Sequence, residues 1–70
     1  MNLILTNHAK QRMIEREISI EQIKEVITFP EYTLSKESKI EAYKKFRGKI
    51  LKVVYMQEDK YIKIITLIWK

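Results

Sequence analysis

The chain has 70 residues, too few for two domains, and its 46% apolar content with one glycine and one proline is typical of a folded domain. It has no cysteine, which excludes disulfides and thiolate metal sites and agrees with a cytoplasmic location, and no apolar run approaches the roughly 20 residues of a membrane span. Its net charge of +5 is uneven, because residues 1–35 hold four Lys or Arg against five acids and residues 36–70 hold ten against four.

Two helices are predicted in the first half of the chain. Residues 2–5 are mostly apolar and form either an edge strand or a packed tail. Thr6 and Asn7 are both good N-caps for a helix over residues 8–17. Ser19, with a glutamine three residues later, has the spacing of a capping box. It starts a second helix, which ends near residue 29 because a proline follows.

After the proline the apolar period changes to two, which predicts three or four antiparallel strands with a tight turn at Gly48. Residues 50–56 and 61–69 carry apolar side chains on both faces of the predicted strands. We therefore expect these two strands at the centre of the sheet, with the helices on one face and a partner or substrate on the other. The predicted fold class is α+β: two N-terminal helices packed on a twisted antiparallel sheet of three or four strands, in a single domain over residues 1–70. Because so small a domain buries little surface, a partner protein or a homodimer could add to its stability.

A stripe of three polar side chains is predicted on the first helix. Taking His8 as the origin, Arg12 lies about 40° and Arg16 about 80° around the helix axis, beside the small apolar face. Their repulsion calls for a nearby anion, either Glu15 or a bound phosphate. His8 is the only histidine, and an imidazole that titrates near neutral pH suits proton transfer. A first-turn histidine is also common as a cap or surface group, and the arginines could instead hold the helix to the sheet.

A basic segment lies in the second half of the chain. It contains five cations and no acid: Lys44, Lys45, Arg47, Lys49 and Lys52. Phosphate is the natural partner of such a surface, so the segment predicts nucleic-acid binding, with Tyr43, Phe46 and Trp69 able to stack on bases. Core packing is the alternative for these aromatic side chains and is favoured for Phe46. A strand edge protected by lysines against aggregation explains the charges equally well.

The residue inventory restricts the chemistry that the stripe could perform. One histidine, one aspartate and scattered glutamates offer no recognisable metal-ligand set, and no glycine-rich loop or nucleophile triad is present, so no metal or cofactor is expected. RNA cleavage remains, because there the substrate's own 2′-hydroxyl is the nucleophile. His8 would be one acid–base group, Arg12 and Arg16 would stabilise the charged phosphorane, and Tyr43 or Lys44 would carry the second proton.

Several of these residues resemble the motifs of a known family. The motif runs from His8-Ala9 through Arg12-Met13 and Arg16 to Ile18, followed by Ile23 and Val26 before Pro30, then Lys52-Val53-Val54, Ile65-Thr66 and Trp69. This pattern resembles a small bacterial domain-of-unknown-function family, number 4258, over nearly the whole chain. One departure is Glu17, where the family usually has glycine, and which should make the link between the helices stiffer or more helical.

The family is similar in element order to the RelE/ParE toxins, within the wider barnase–EndoU–colicin–RelE group. This resemblance implies a RelE-like fold, metal-independent cleavage of RNA, control by a cognate antitoxin, and an active site of His8, Arg12 and Arg16, with Tyr43 and Thr66 as further candidates. Two alternatives remain open. The chain could be a nucleic-acid-binding module without catalysis, or a protein-interaction subunit whose central strands bury against a partner.

Overall fold

In the computed structural model, which describes all 70 residues, two helices pack on one face of a five-stranded sheet. The elements are β1 (Leu3–Leu5), α1 (Asn7–Glu15), α2 (Ile20–Thr28), β2 (Tyr32–Lys36), β3 (Lys39–Phe46), β4 (Lys49–Gln57) and β5 (Ile62–Trp69). The strands lie in the order β1-β5-β4-β3-β2. Neither helix is long and apolar enough to cross a membrane.

The α+β class is retained, but the predicted antiparallel sheet of three or four strands is wrong. The sheet has five strands and is mixed, because β1 pairs in parallel with β5, Leu3 opposite Ile62 and Leu5 opposite Ile64. The other three pairings are antiparallel hairpin neighbours. A local apolar pattern shows that residues 3–5 can form a strand, but their partners lie 59 positions along the chain, where local periodicity gives no information.

The helix starts follow the predicted caps. Thr6 Oγ1 accepts the amide of Ala9 at 3.0 Å, and the predicted capping box between Ser19 and Gln22 is present in both directions. Eleven buried side chains form the core between the helices and the sheet: Ala9, Ile18, Ile23, Val26, Ala42, Leu51, Val53, Tyr55, Ile62, Ile64 and Leu67. The helices therefore cover one face of the sheet only.

A bulge in β5 changes which residues face the helices. Val54 pairs with Thr66 whereas Tyr55 pairs with Ile64, so Ile65 is the extra residue. The bulge shifts the side-chain alternation by one position, and apolar residues on both sides of it face the same core. Apolar residues therefore occur at both odd and even positions of β5 partly because of the bulge, and not because both faces of the strand are buried.

The face of the sheet away from the helices, here called the open face, is defined by the strand pairings. Residues paired directly across strands share a face. The open face carries Tyr32, Leu34 and Lys36 of β2, Lys39, Glu41, Tyr43 and Lys45 of β3, Ile50, Lys52, Val54 and Met56 of β4, and Lys63, Thr66 and Ile68 of β5. The expectation of two central strands with the helices on one face is confirmed for β4 and β5.

The turn after α1 has the geometry that a glycine would prefer. The amide of Ile18 donates to the carbonyl of Met13 at 2.9 Å and the amide of Glu17 to that of Ile14 at 3.3 Å, which is the Schellman pattern. Glu17 occupies the left-handed position of this motif, with φ 52°. The expectation that Glu17 makes the link more helical is therefore wrong, since α1 ends at Glu15 and the turn keeps a glycine-type conformation.

We expect Glu17→Gly to raise the free energy of unfolding by about 1 kcal/mol, because the left-handed conformation costs a residue with a Cβ roughly 1–2 kcal/mol and glycine gives back part of that in chain entropy. Urea denaturation measures the change. Glu17→Ala is the matched control, since it removes the carboxylate but keeps the Cβ. An equal gain in both variants would show that the charge, and not the backbone conformation, is the cause.

Candidate functional site

The predicted site residues His8 and Thr66 are in contact. His8, in the first turn of α1, is exposed, and its Nε2 lies 3.1 Å from Thr66 Oγ1. The contact arises because β1 ends at Leu5, so the remaining edge of β5 is covered by the start of α1 instead of by a strand. Thr6 contributes by donating from Oγ1 to the carbonyl of Ile65 at 3.1 Å. The bulge and the helix start together place His8 on Thr66.

Thr66 also lines a cleft of about 270 Å³, here called the Thr66 cleft. Its other lining residues are Lys36, Glu37, Lys39, Glu41, Val54 and Ile65. Across the open face, Glu41, Val54 and Thr66 form one row of directly paired residues. The cleft therefore combines two carboxylates, those of Glu37 and Glu41, and two lysines with the hydroxyl that contacts His8.

The carboxylate of Glu41 is held by two neighbours. Tyr43 donates its hydroxyl to Glu41 Oε1 at 3.0 Å, and Lys52 Nζ lies 3.7 Å from the same oxygen. Burial raises the pKa of Tyr43, and its hydrogen bond to Glu41 and the charges of Glu41 and Tyr32 raise it further. Tyr43 thus remains a protonated donor near neutral pH, a state suited to positioning Glu41 and not to accepting a proton.

The two arginines of the predicted stripe have separate partners. Arg12 Nη1 donates to Glu15 Oε1 at 2.9 Å, an exposed pair within α1 that supplies the anion expected for the stripe. Arg16 Nη1 donates to the main-chain carbonyl of Leu67 on β5, and Trp69 Nε1 donates to the carbonyl of Arg16 at 3.0 Å. Arg16 and Trp69 therefore fasten the end of α1 to β5.

The predicted basic segment is divided between two faces of the sheet. Lys44 lies on the helix side, where its Nζ donates to the carbonyl of Phe29 at 3.0 Å and lies 3.9 Å from Glu25. Lys45 and Lys52 lie on the open face. Arg47 and Lys49 are exposed at the β3–β4 turn and, with Gln22, Phe46 and Trp69, line a second cleft of about 510 Å³. The segment therefore does not form one continuous phosphate surface.

Reasoning from the sequence missed Lys36, Lys39 and Glu41. A hairpin pattern could have found them, because Lys36 pairs with Lys39 across the two-residue turn between β2 and β3. Strand alternation then places Lys39 and Glu41 on the same face as Tyr43, which had been a candidate. Their position beside Thr66 could not be read locally, because it depends on the order of three strands.

The two tyrosines with raised pKa values predict a loss of stability at high pH. Burial raises the pKa of Tyr55 in the core as it does that of Tyr43. Each pKa is higher in the folded than in the unfolded chain. The stabilisation that these two tyrosines give the folded state is therefore fully present below about pH 10 and is lost as the pH rises above it. We expect Tyr43→Phe to flatten this decline, measured by urea denaturation between pH 8 and about pH 11. An unchanged slope would contradict the assignment to Tyr43.

Comparison with known proteins gives one match. The sequence model of the family described as "Domain of unknown function (DUF4258)" matches residues 5–69. No curated protein and no solved structure matches the chain. The similarity to the RelE/ParE toxins stays a prediction.

Proposed function

The chain belongs to the DUF4258 family, whose description gives no activity, and from the geometry of its own site we propose that it cleaves RNA by acid–base chemistry without a metal cofactor. The observation that carries the proposal is the contact of the exposed His8 with Thr66, which lines the same cleft as Glu41. The Glu41 carboxylate in the cleft and the imidazole bonded to Thr66 would be the two proton carriers that RNA cleavage needs.

The reaction balances with these two groups alone. Glu41 takes the proton of the ribose 2′-hydroxyl, and the 2′-oxygen forms a bond to phosphorus while the bond from phosphorus to the 5′-oxygen breaks. His8, as the imidazolium, gives its proton to the leaving 5′-oxygen. The products are a 2′,3′-cyclic phosphate and a 5′-hydroxyl end, and exchange with water restores both side chains.

The neighbouring cations and Tyr43 support the same assignment. Lys36 and Lys39 line the cleft, where they can neutralise the charge that develops on the phosphorane oxygens. The contacts of Tyr43 and Lys52 are both with Glu41 Oε1, which leaves Oε2 free to accept the proton. We therefore take Glu41 as the base in place of the second proton carriers expected from the sequence, Tyr43 and Lys44.

Cleavage of a labelled single-stranded RNA by the purified protein in EDTA tests the proposal. We expect fragments with 2′,3′-cyclic phosphate ends, identified by mass spectrometry. A single 2′-deoxy nucleotide at a cleaved position should abolish the cut there, because it removes the nucleophile. Cleavage at the deoxy position, or no cleavage of either free or ribosome-bound RNA, would overturn the proposal.

Nucleic-acid binding without cleavage is the second candidate, and the charge of the open face favours it. The strands present five lysines there, Lys36, Lys39, Lys45, Lys52 and Lys63, against Glu41 as the only acid. Such a face attracts phosphate whether or not a bond is broken. Binding that weakens steeply with salt, in a protein that leaves RNA intact, would select this function.

The role of a toxin is proposed from the resemblance to the RelE/ParE proteins. On this proposal, RNA cleavage arrests growth and a cognate antitoxin protein restrains it. Inducible expression in a bacterium should stop growth, while expression of His8→Ala to the same level should not. Equal growth arrest by both proteins would separate toxicity from the proposed site.

A further inference from the structure

The open face presents an aromatic ring beside the Thr66 cleft. The ring of Tyr32 on β2 stacks on that of Tyr43 with centroids 4.5 Å apart and planes 12° apart. Tyr32 is 50% exposed, and β2 is the edge strand, so no further strand covers the outer side of its ring. We propose that this ring stacks against a base of single-stranded RNA, an inference that rests on the RNA cleavage proposed above.

The backing of the Tyr32 ring is rigid. Tyr43 is 6% exposed, its hydroxyl is fixed on Glu41, and Lys52 Nζ lies 5.9 Å from its ring centroid. A ring held against a buried neighbour loses little conformational freedom when a base stacks on it. Tyr32 is therefore prepared for stacking, unlike a mobile surface aromatic.

The position of Tyr32 relative to the cleft fits an extended RNA strand. Tyr32, Tyr43 and Lys52 form one row across the sheet, and the next row holds Glu41 and Thr66. Rows on one face are separated by two residues, or about 6.6 Å, which is of the order of one extended nucleotide. A strand with one base on Tyr32 thus places a neighbouring nucleotide at Glu41.

The charge and the stacking together favour a single strand as the occupant. The five lysines of the open face match the phosphates of either a single strand or a duplex. The flat side of a base is accessible to a protein ring only when the base is unstacked from its neighbours, which excludes the interior of a duplex.

Fluorescence anisotropy with an oligouridine of 2′-O-methyl nucleotides tests the inference, because this strand has no free 2′-hydroxyl and cannot be cleaved. We expect Tyr32→Ala to weaken binding about 10- to 100-fold and Tyr32→Phe to keep it near the wild-type value. Phe29→Ala is the matched control, since Phe29 is an aromatic side chain that is 68% exposed in the α2–β2 connection, outside the sheet. Circular dichroism checks that each variant folds.

The outcomes separate this inference from the cleavage proposal. Wild-type affinity in Tyr32→Ala, an equal loss in Phe29→Ala, or equal affinity of the wild type for a 2′-O-methyl duplex overturns the stacking site. Binding that depends on Tyr32, in a protein that does not cleave unmodified RNA, supports the stacking site while overturning the proposed cleavage.

Discussion

Replacing His8 with alanine is expected to lower the rate constant of RNA cleavage about 10²- to 10⁴-fold, the usual contribution of a general acid. The side chain is exposed and its hydrogen bond is to Thr66, so its removal should leave the fold intact. Glu41→Gln should lower the rate by a similar factor, because an amide cannot take the 2′-hydroxyl proton. The measurement is single-turnover cleavage of a labelled RNA in EDTA.

Matched variants keep this test specific. Lys10→Ala changes an exposed residue on the same helix, and Glu21→Gln removes an exposed carboxylate on α2. Both should cleave at the wild-type rate. Thr66→Val should give an intermediate loss, because it removes the hydroxyl that orients His8 but leaves the imidazole in place. Wild-type rates in His8→Ala would exclude the site.

Local features of the fold were predictable because their causes are local. The cap at Thr6 and the capping box at Ser19 depend on side chains within three residues of the helix start, and both are present as expected. The tight turn at Gly48 likewise follows from a two-residue hairpin loop, in which Arg47 and Gly48 have φ of 50° and 85°. The parallel pairing of β1 with β5 has no such local cause.

The candidate site was predictable only in part, and through family resemblance instead of a local cause. The contact between His8 and Thr66 joins two residues that family resemblance had selected, although they lie 58 positions apart. Glu41 was missed because its importance comes only from lying in one row with Thr66 across three strands. Helical spacing placed His8, Arg12 and Arg16 on one stripe, but it could not show that each has a different partner.

Arg16→Ala is expected to lower the free energy of unfolding by about 1.5–3 kcal/mol, the typical contribution of a hydrogen bond to a charged group. Its guanidinium donates to the carbonyl of Leu67 on the part of the β5 edge that β1 does not cover. In Arg16→Ala, the Leu67 carbonyl loses its charged donor, and at this end of α1 the bond from Trp69 Nε1 to the carbonyl of residue 16 is left. Arg12→Ala should cost less than about 1 kcal/mol, because its pair with Glu15 is exposed. Urea denaturation of both variants measures the difference.

Arg16→Met separates the hydrogen bond from the packing of the side chain, since it keeps an aliphatic stem and removes the guanidinium. If the bond to Leu67 is the cause, Arg16→Met should be destabilised nearly as much as Arg16→Ala, and both should cleave RNA at the wild-type rate under conditions where they are folded. Stability near that of the wild type in Arg16→Met would contradict the anchoring role. If a folded Arg16→Met protein instead cleaves RNA a hundredfold more slowly, Arg16 stabilises the charged phosphorane, as expected from the sequence. Arg16 would then act together with His8, as helical spacing predicts, and not only as an anchor of α1 on β5.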